Sequence, residues 1–218
     1  MKTTAKITCP NCGPVPLHSV TIYNDSLRKQ NFSLSPILPT CTVCDSDVEV
    51  IGDTRGVKIL LLNGTCGSGK SSTAEELVKS HGFVAIDGDN VMRVIEHKLG
   101  VRRIDFDSPE VFEEIGKEID IMAALGNKIV LTYVVMPKDL QKFKDIFERK
   151  GMDYRIILLK PSYEIAVKRA QTRTCFTSVT PEEWVRHFYD ALDCDDVFNN
   201  SDLTVQQSAV EILQLAFG

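Results

Sequence analysis

The sequence predicts an α/β fold: a parallel sheet with helices on both faces, preceded by a small β-rich module. Three observations carry this. From Val57 onward, apolar runs of strand length alternate with stretches of helical period, the pattern of a parallel sheet covered on both sides. The segment GTCGSGKS (64–71) stands between the first such run and the first such helix. Before residue 55 there is no helical period; that region holds CPNC (9–12), CTVC (41–44) and the prolines 10, 14, 16, 36 and 39. The turn-like IGDTRG (51–56) then divides a module over 1–55 from a larger domain over 56–218.

The elements follow in order. VKILLLN (57–63) is continuously apolar, as a strand buried on both faces requires. Residues 70–80 fit a helix, GFVAI (82–86) a second strand and 90–99 a second helix. Val111, Phe112, Ile115, Ile119, Met122 and Leu125 recur at three- and four-residue steps and mark a helix over 109–125. KIVLTYVV (128–135) reads as the third strand, and Pro137 as the start of a helix with Leu140, Phe143, Ile146 and Phe147 facing inward. DYRIILLK (153–160) is the fourth strand. Helices are expected at 161–172 and 181–193, with a last strand around Val197–Phe198. Thr204 and Gln207 form a capping box for a final helix ending near Phe217.

Composition sets outer limits. With 43% hydrophobic and 25% charged residues, the chain has an ordinary globular make-up. The apolar runs fall well short of a bilayer span, and MKTTAKITCP lacks the apolar core of a signal peptide. A cytoplasmic location is the expectation. A net charge of −5 argues against a general nucleic-acid footprint. Seven cysteines, four of them in CxxC pairs, suit a reducing compartment better than a disulfide framework.

GTCGSGKS matches GxxxxGK[ST] in the strand-to-helix context that gives the motif its meaning. Gly64, Gly67 and Gly69 let the backbone approach phosphate oxygens, with Thr65, Cys66, Ser68 and Ser72 completing the cradle. Lys70 supplies charge for the β- and γ-phosphates, and Ser71 a hydroxyl for Mg²⁺. Asn127-Lys128 is not followed by the acid that reads guanine, and KIVLTYVVMPK holds no acid to orient the metal. IDGDNVMR (86–93) supplies the replacements. Asp87 is assigned to metal-bound water and Asp89 to the acceptor hydroxyl, with the reverse assignment open. The competing reading is an Asx-type turn in which Asp89 or Asn90 caps the following helix. Arg93, one turn from Asp89, either faces the acceptor or pairs with that acid.

This order of strand, GTCGSGKS, helix, strand and IDGDNVMR resembles P-loop small-molecule kinases over about residues 57–217. Adenylylsulfate kinases, with a DGDNVR-like segment, look nearest. Shikimate and gluconate kinases, antibiotic phosphotransferases and zeta-type toxins carry related acids. The resemblance implies the three-layer P-loop fold, ATP with Mg²⁺, a hydroxyl-bearing small-molecule acceptor and a mobile lid. It places Arg169 and Arg173, in AVKRAQTRT (166–174), at the lid edge against the ATP phosphates, and TCFTSVTPEEW (174–184) in the lid. The match departs at Arg93, which comes one position late, and at TYVVMPKDL, which lacks the substrate-clamping sequence, so adenylylsulfate is not carried over.

Cys9, Cys12, Cys41 and Cys44 offer four thiolates to a tetrahedral structural zinc, in the manner of a zinc ribbon. His18 is the lesser alternative ligand. Lys2, Lys6, Arg28, Lys29 and Arg55 are balanced by Asp25, Asp45, Asp47, Glu49 and Asp53, so the module shows no bias toward nucleic acid. The leading reading is thus an ATP-dependent kinase for a small hydroxyl acceptor, with Asp89, Asp87, Lys70 and Arg173 as its chemical groups. A polynucleotide-end or nucleotide-sugar kinase, and a nucleotide-dependent switch with a partner-docking ribbon, are the alternatives. A homodimer is compatible with all three.

Overall fold

The computed structural model describes residues 5–15, 20–23, 36–46, 48–172 and 182–218. At the N-terminus, β1 (Lys6–Cys9), β2 (Gly13–Pro14), β3 (Val20–Tyr23), β4 (Pro36–Cys41) and β5 (Glu49–Ile51) form two small antiparallel sheets, β2-β1-β5 and β3-β4. Their packing centre is small: Ile7, Cys9, Cys41 and Val48.

The rest is a five-stranded parallel sheet. It contains β6 (Lys58–Asn63), β7 (Phe83–Asp87), β8 (Lys128–Thr132), β9 (Asp153–Leu159) and β10 (Asp196–Phe198), in the order β10-β9-β6-β8-β7. β6 is central, which explains its unbroken apolar run. Ile59 and Leu61 point into one core and Leu60 and Leu62 into the other, all fully buried. α1 (Lys70–His81) covers the Leu60/Leu62 side through Ala74 and Leu77. α2 (Gly88–Leu99), α3 (Pro109–Ala124) and α4 (Pro137–Arg149) pack Val91, Ile115, Ile119, Phe143 and Phe147 on the opposite side. α5 (Tyr163–Gln171) and α6 (Glu182–Ala191) pack on each other beside the C-terminal ends of the strands. α7 (Val205–Phe217) joins α1, and its Thr204–Gln207 capping box is formed in both directions.

Two boundaries differ from the sequence reading. α2 begins at Gly88 because Asp87, rather than Asp89 or Asn90, caps it. β8 stops at Thr132, so Tyr133, Val134 and Val135 leave the strand. The linker is a packed turn: Thr54 Oγ1 donates to the Lys150 carbonyl (2.9 Å) and Gly56 N–H to the Gly151 carbonyl (2.8 Å).

The cysteine module docks on the C-terminal end of α3. Val50 packs in both the module and the sheet cores, Leu125 does the same, and Gly52 lies so close that a Cβ there would meet the Ala124 carbonyl oxygen at 2.6 Å. A 16-residue helix is about 24 Å long. Its N-terminal end lies beside the tips of the strands and its C-terminal end at their base, so the module sits far from the phosphate loop. Among the described residues, no helix is long and apolar enough to cross a membrane.

Candidate active site

Where β6 ends, the chain turns into the loop 64–69 and re-emerges as α1, whose N-cap is Gly69 in the left-handed region. Gly67 has φ 77°, and a Cβ there would stand 2.1 Å from the Ala166 carbonyl oxygen of α5. Only glycine fits, because the loop is pressed against the first lid-side helix. Cys66 packs its side chain beside Ala166, Ala170 and Val185. Thr65 Oγ1 donates to the Val185 carbonyl of α6 (3.1 Å). Lys70 curls back, its Nζ donating to the carbonyls of Gly64 (2.6 Å) and Thr65 (3.1 Å).

Thr65, Gly67, Gly69, Lys70, Ser71, Ser72, Arg169 and Thr172 line a cavity of about 410 Å³. A second cavity of about 110 Å³ shares Gly69, Ser72 and Arg169 with it and adds Asn200. Asn200 is buried; its Nδ2 donates to the Ser68 carbonyl (3.0 Å), and its own carbonyl accepts from Arg169 Nη2 (3.2 Å). Arg173 and most of the expected lid, like His18, lie outside the described residues.

The acids come from the end of β7. Asp87 takes extended dihedrals and its Oδ1 accepts from the N–H groups of Asp89 (3.0 Å) and Asn90 (3.3 Å). Burial, then repulsion from Asp89, push its carboxyl above the usual range; the two N–H groups and Lys70 oppose this without overcoming it. Asp89 is exposed on the first turn of α2. Between them, Gly88 lies under the Tyr133 ring, and a Cβ there would be 2.1 Å from Tyr133 Cδ2. Tyr133 is buried, donates its hydroxyl to the Phe106 carbonyl, and is held far above the ordinary phenol range by burial. Arg93 Nη1 donates to Asn90 Oδ1 (3.1 Å).

At the other end of the domain, the four expected cysteine sulfurs lie within 4.8 Å of one another. Cys9–Cys44, Cys12–Cys44 and Cys41–Cys12 are separated by 3.4, 3.6 and 3.9 Å. Sulfurs arranged tetrahedrally about 2.3 Å from zinc are spaced by roughly 3.8 Å, so the donor set fits that ion. Asn11 Nδ2 bonds Ser46 Oγ (2.7 Å), tying the two knuckles together. Cys44 is lowered to about 6 by the Ser46 hydroxyl and N–H, whereas Cys12, beside Cys44, is pushed up to about 12. A bound cation would relieve that opposition by favouring thiolates throughout.

Sequence reasoning missed Asn63, Tyr133 and Asn200. The one available signal was Asn63 itself, a polar residue closing an otherwise apolar buried strand.

A family model described as an AAA domain matches residues 59–188. No match exists among curated proteins. Several solved structures share the fold. The Deinococcus radiodurans tunicamycin resistance protein aligns at TM-score 0.60 and 14% identity, over 74% of this chain and 96% of that one. A gluconokinase from Sinorhizobium meliloti aligns at TM-score 0.53 and 18% identity, over 74% and 95%. The APS kinase of Mycobacterium tuberculosis, determined with AMPPNP and APS, aligns at TM-score 0.50 and 17% identity, over 74% and 98%. At such identities the likeness is one of fold.

Proposed function

The chain belongs to the AAA domain family, and on that premise we propose that it transfers the γ-phosphate of ATP to a hydroxyl of a small-molecule acceptor. The observation that carries this is the Asp87–Gly88–Asp89 turn at the end of β7, locked by Tyr133 and within electrostatic reach of Lys70. A nucleotide switch has no need of an exposed acid next to one that feels the phosphate-loop lysine; a phosphotransferase needs such an acid to orient and deprotonate its acceptor. That a gluconokinase and an APS kinase share the fold supports the same reading.

In this reading the 410 Å³ cavity receives the phosphates and the 110 Å³ cavity lies next to them on the Asn200 side. Lys70, Arg169 and Arg173 neutralise phosphate charge, as the transition state requires. Asp89, exposed on the acceptor side, accepts the hydroxyl proton. Asp87 has one oxygen committed to the α2 N-terminus, leaving the other for metal-bound water. Ser71 and Asp87 would hold Mg²⁺, which supplies charge neutralisation at the bridging phosphate oxygens. Arg93 borders the acceptor. Structural zinc in the Cys9, Cys12, Cys41 and Cys44 cluster would hold a module of residues 1–55 on the kinase domain of 56–218. The module's place at the far end of α3 leaves a polynucleotide-end reading without support from the ribbon.

The test is ATP turnover with a panel of hydroxyl acceptors, wild type against Asp89→Asn. Acceptor-dependent turnover is expected to fall about 10²- to 10⁴-fold, the range for a positioned general base. Undiminished turnover would remove Asp89 from the role.

A further inference from the structure

β6 ends on a polar residue that is fully buried. Asn63 has no solvent contact, and its side-chain amide bonds to backbone groups. Its Oδ1 accepts from Gly64 N–H (2.8 Å) and from Val135 N–H (2.9 Å), and its Nδ2 donates to the Val135 carbonyl (2.8 Å). The reason lies in the sheet. β6 and β8 pair as far as Leu62 and Thr132, after which the Leu62 carbonyl still accepts from Tyr133 N–H (3.3 Å). Beyond that point the backbone of β6 bends into the phosphate loop. Val135 is buried, and its N–H and carbonyl would be costly without partners. The Asn63 side chain, itself a primary amide, takes the place of the missing strand.

The two segments joined are the two halves of the candidate site. Gly64 opens the phosphate loop. Residues 133–136 back the acid turn: Tyr133 rests on Gly88 between the acids, while Val134 and Met136 pack in the cluster that holds Phe188 of α6. We propose that Asn63 is a positioning residue that keeps the phosphate loop and the segment backing the acid turn in register, so that nucleotide binding at the loop is felt at 133–136. Apolar β6 side chains such as Leu61 cannot do this, because they bond neither backbone. The inference rests on the phosphate loop binding nucleotide, as proposed above.

Hydrogen exchange on the full chain, with and without MgADP, tests it. In the wild type, MgADP is expected to slow exchange in both 64–72 and 133–136. In Asn63→Leu, exchange at 133–136 rises about tenfold, as loss of buried hydrogen bonds predicts, and MgADP no longer slows it. Asn63→Ser, polar but too short to reach Val135, is the second variant should leucine fail to fold, and behaves alike. Protection of 64–72 with an unchanged MgADP effect at 133–136 in the variants overturns the inference alone. Failure of MgADP to protect 64–72 in the wild type overturns the nucleotide reading and the inference with it. A merely structural asparagine would lower the melting temperature and leave the nucleotide effect at 133–136 intact.

Discussion

At the tips of the strands, the phosphate loop stands on β6, whose Ile59, Leu60, Leu61 and Leu62 are wholly buried between two cores. At the base of the same sheet, the cysteine module stands on Ile7, Val48 and two of its own cysteines. The first region has enough buried apolar surface to hold strained or unfavourable groups: glycines in the left-handed region, a carboxyl raised by burial, an amide in the core. The second has too little surface to hold itself, since a segment this short seldom buries a sufficient core. What it has instead is four sulfurs at tetrahedral spacing. The contrast teaches that a polar constellation can either draw on a core or replace one.

The strongest way to break this contrast is to break the four-sulfur cluster in which zinc is proposed. Cys41→Ser is expected to abolish bound zinc and to expose the module to proteolysis, because binding on the order of 10 kcal/mol holds such modules folded. Nucleotide affinity should stay within about twofold, given the ~24 Å length of α3 between the regions. Metal analysis, limited proteolysis and ADP titration check it; nucleotide affinity lost in step with zinc would show that the two ends form one unit through Val50 and Leu125.

Next in size is Lys70→Ala. It is expected to leave the module unchanged and to lower ATP turnover at least about 10²-fold, as for losing a charge aimed at the transferring group. Gly88→Ala probes the core that supports the acids. The added Cβ collides with the Tyr133 ring, and chemical denaturation should show a loss of about 1–3 kcal/mol.

The smallest effect has the opposite sign. A carboxyl raised in the folded state stabilises the fold below the ordinary carboxylate range and loses that contribution as pH rises through its raised value. Asp87→Asn keeps a good helix cap and removes the buried charge. It should therefore raise the melting temperature at neutral pH by a few degrees, roughly the effect of 1 kcal/mol, while lowering Mg²⁺-dependent turnover. Melting curves from pH 4 to pH 8 check the sign: the gain should shrink as pH falls.

Much of this was readable from local sequence. GTCGSGKS carries its own flanking strand and helix, CPNC and CTVC their own knuckles, and Thr204–Gln207 its own cap, because each is made by residues within a few positions of one another. The strand order β10-β9-β6-β8-β7 was not legible there, because it depends on which strands pair across the whole chain. The third strand read three residues too long because Tyr133, Val134 and Val135 are apolar for a different reason: Tyr133 and Val135 are buried in the core beneath α2, α3 and α4, and Val134 packs with Phe188 of α6, none of them pairing as strand in the sheet. The competing reading, in which Asp89 or Asn90 caps α2, misses the cap by two or three residues because Asp87, Asp89 and Asn90 are equally good cap residues, and only the end of β7 decides among them.

By itself, the sequence determined the alternation of strands and helices, the phosphate loop, the pair of acids and the four-sulfur cluster. Each is written in spacing that the backbone converts directly into geometry. The tertiary structure alone decided that Gly88 must be glycine because of Tyr133, that the ribbon stands at the end of α3 opposite the site, and that Asn63 reaches a backbone 72 residues away. Those facts depend on which surfaces meet when apolar faces are buried, and that is settled by packing over the whole chain, not by any one stretch of it.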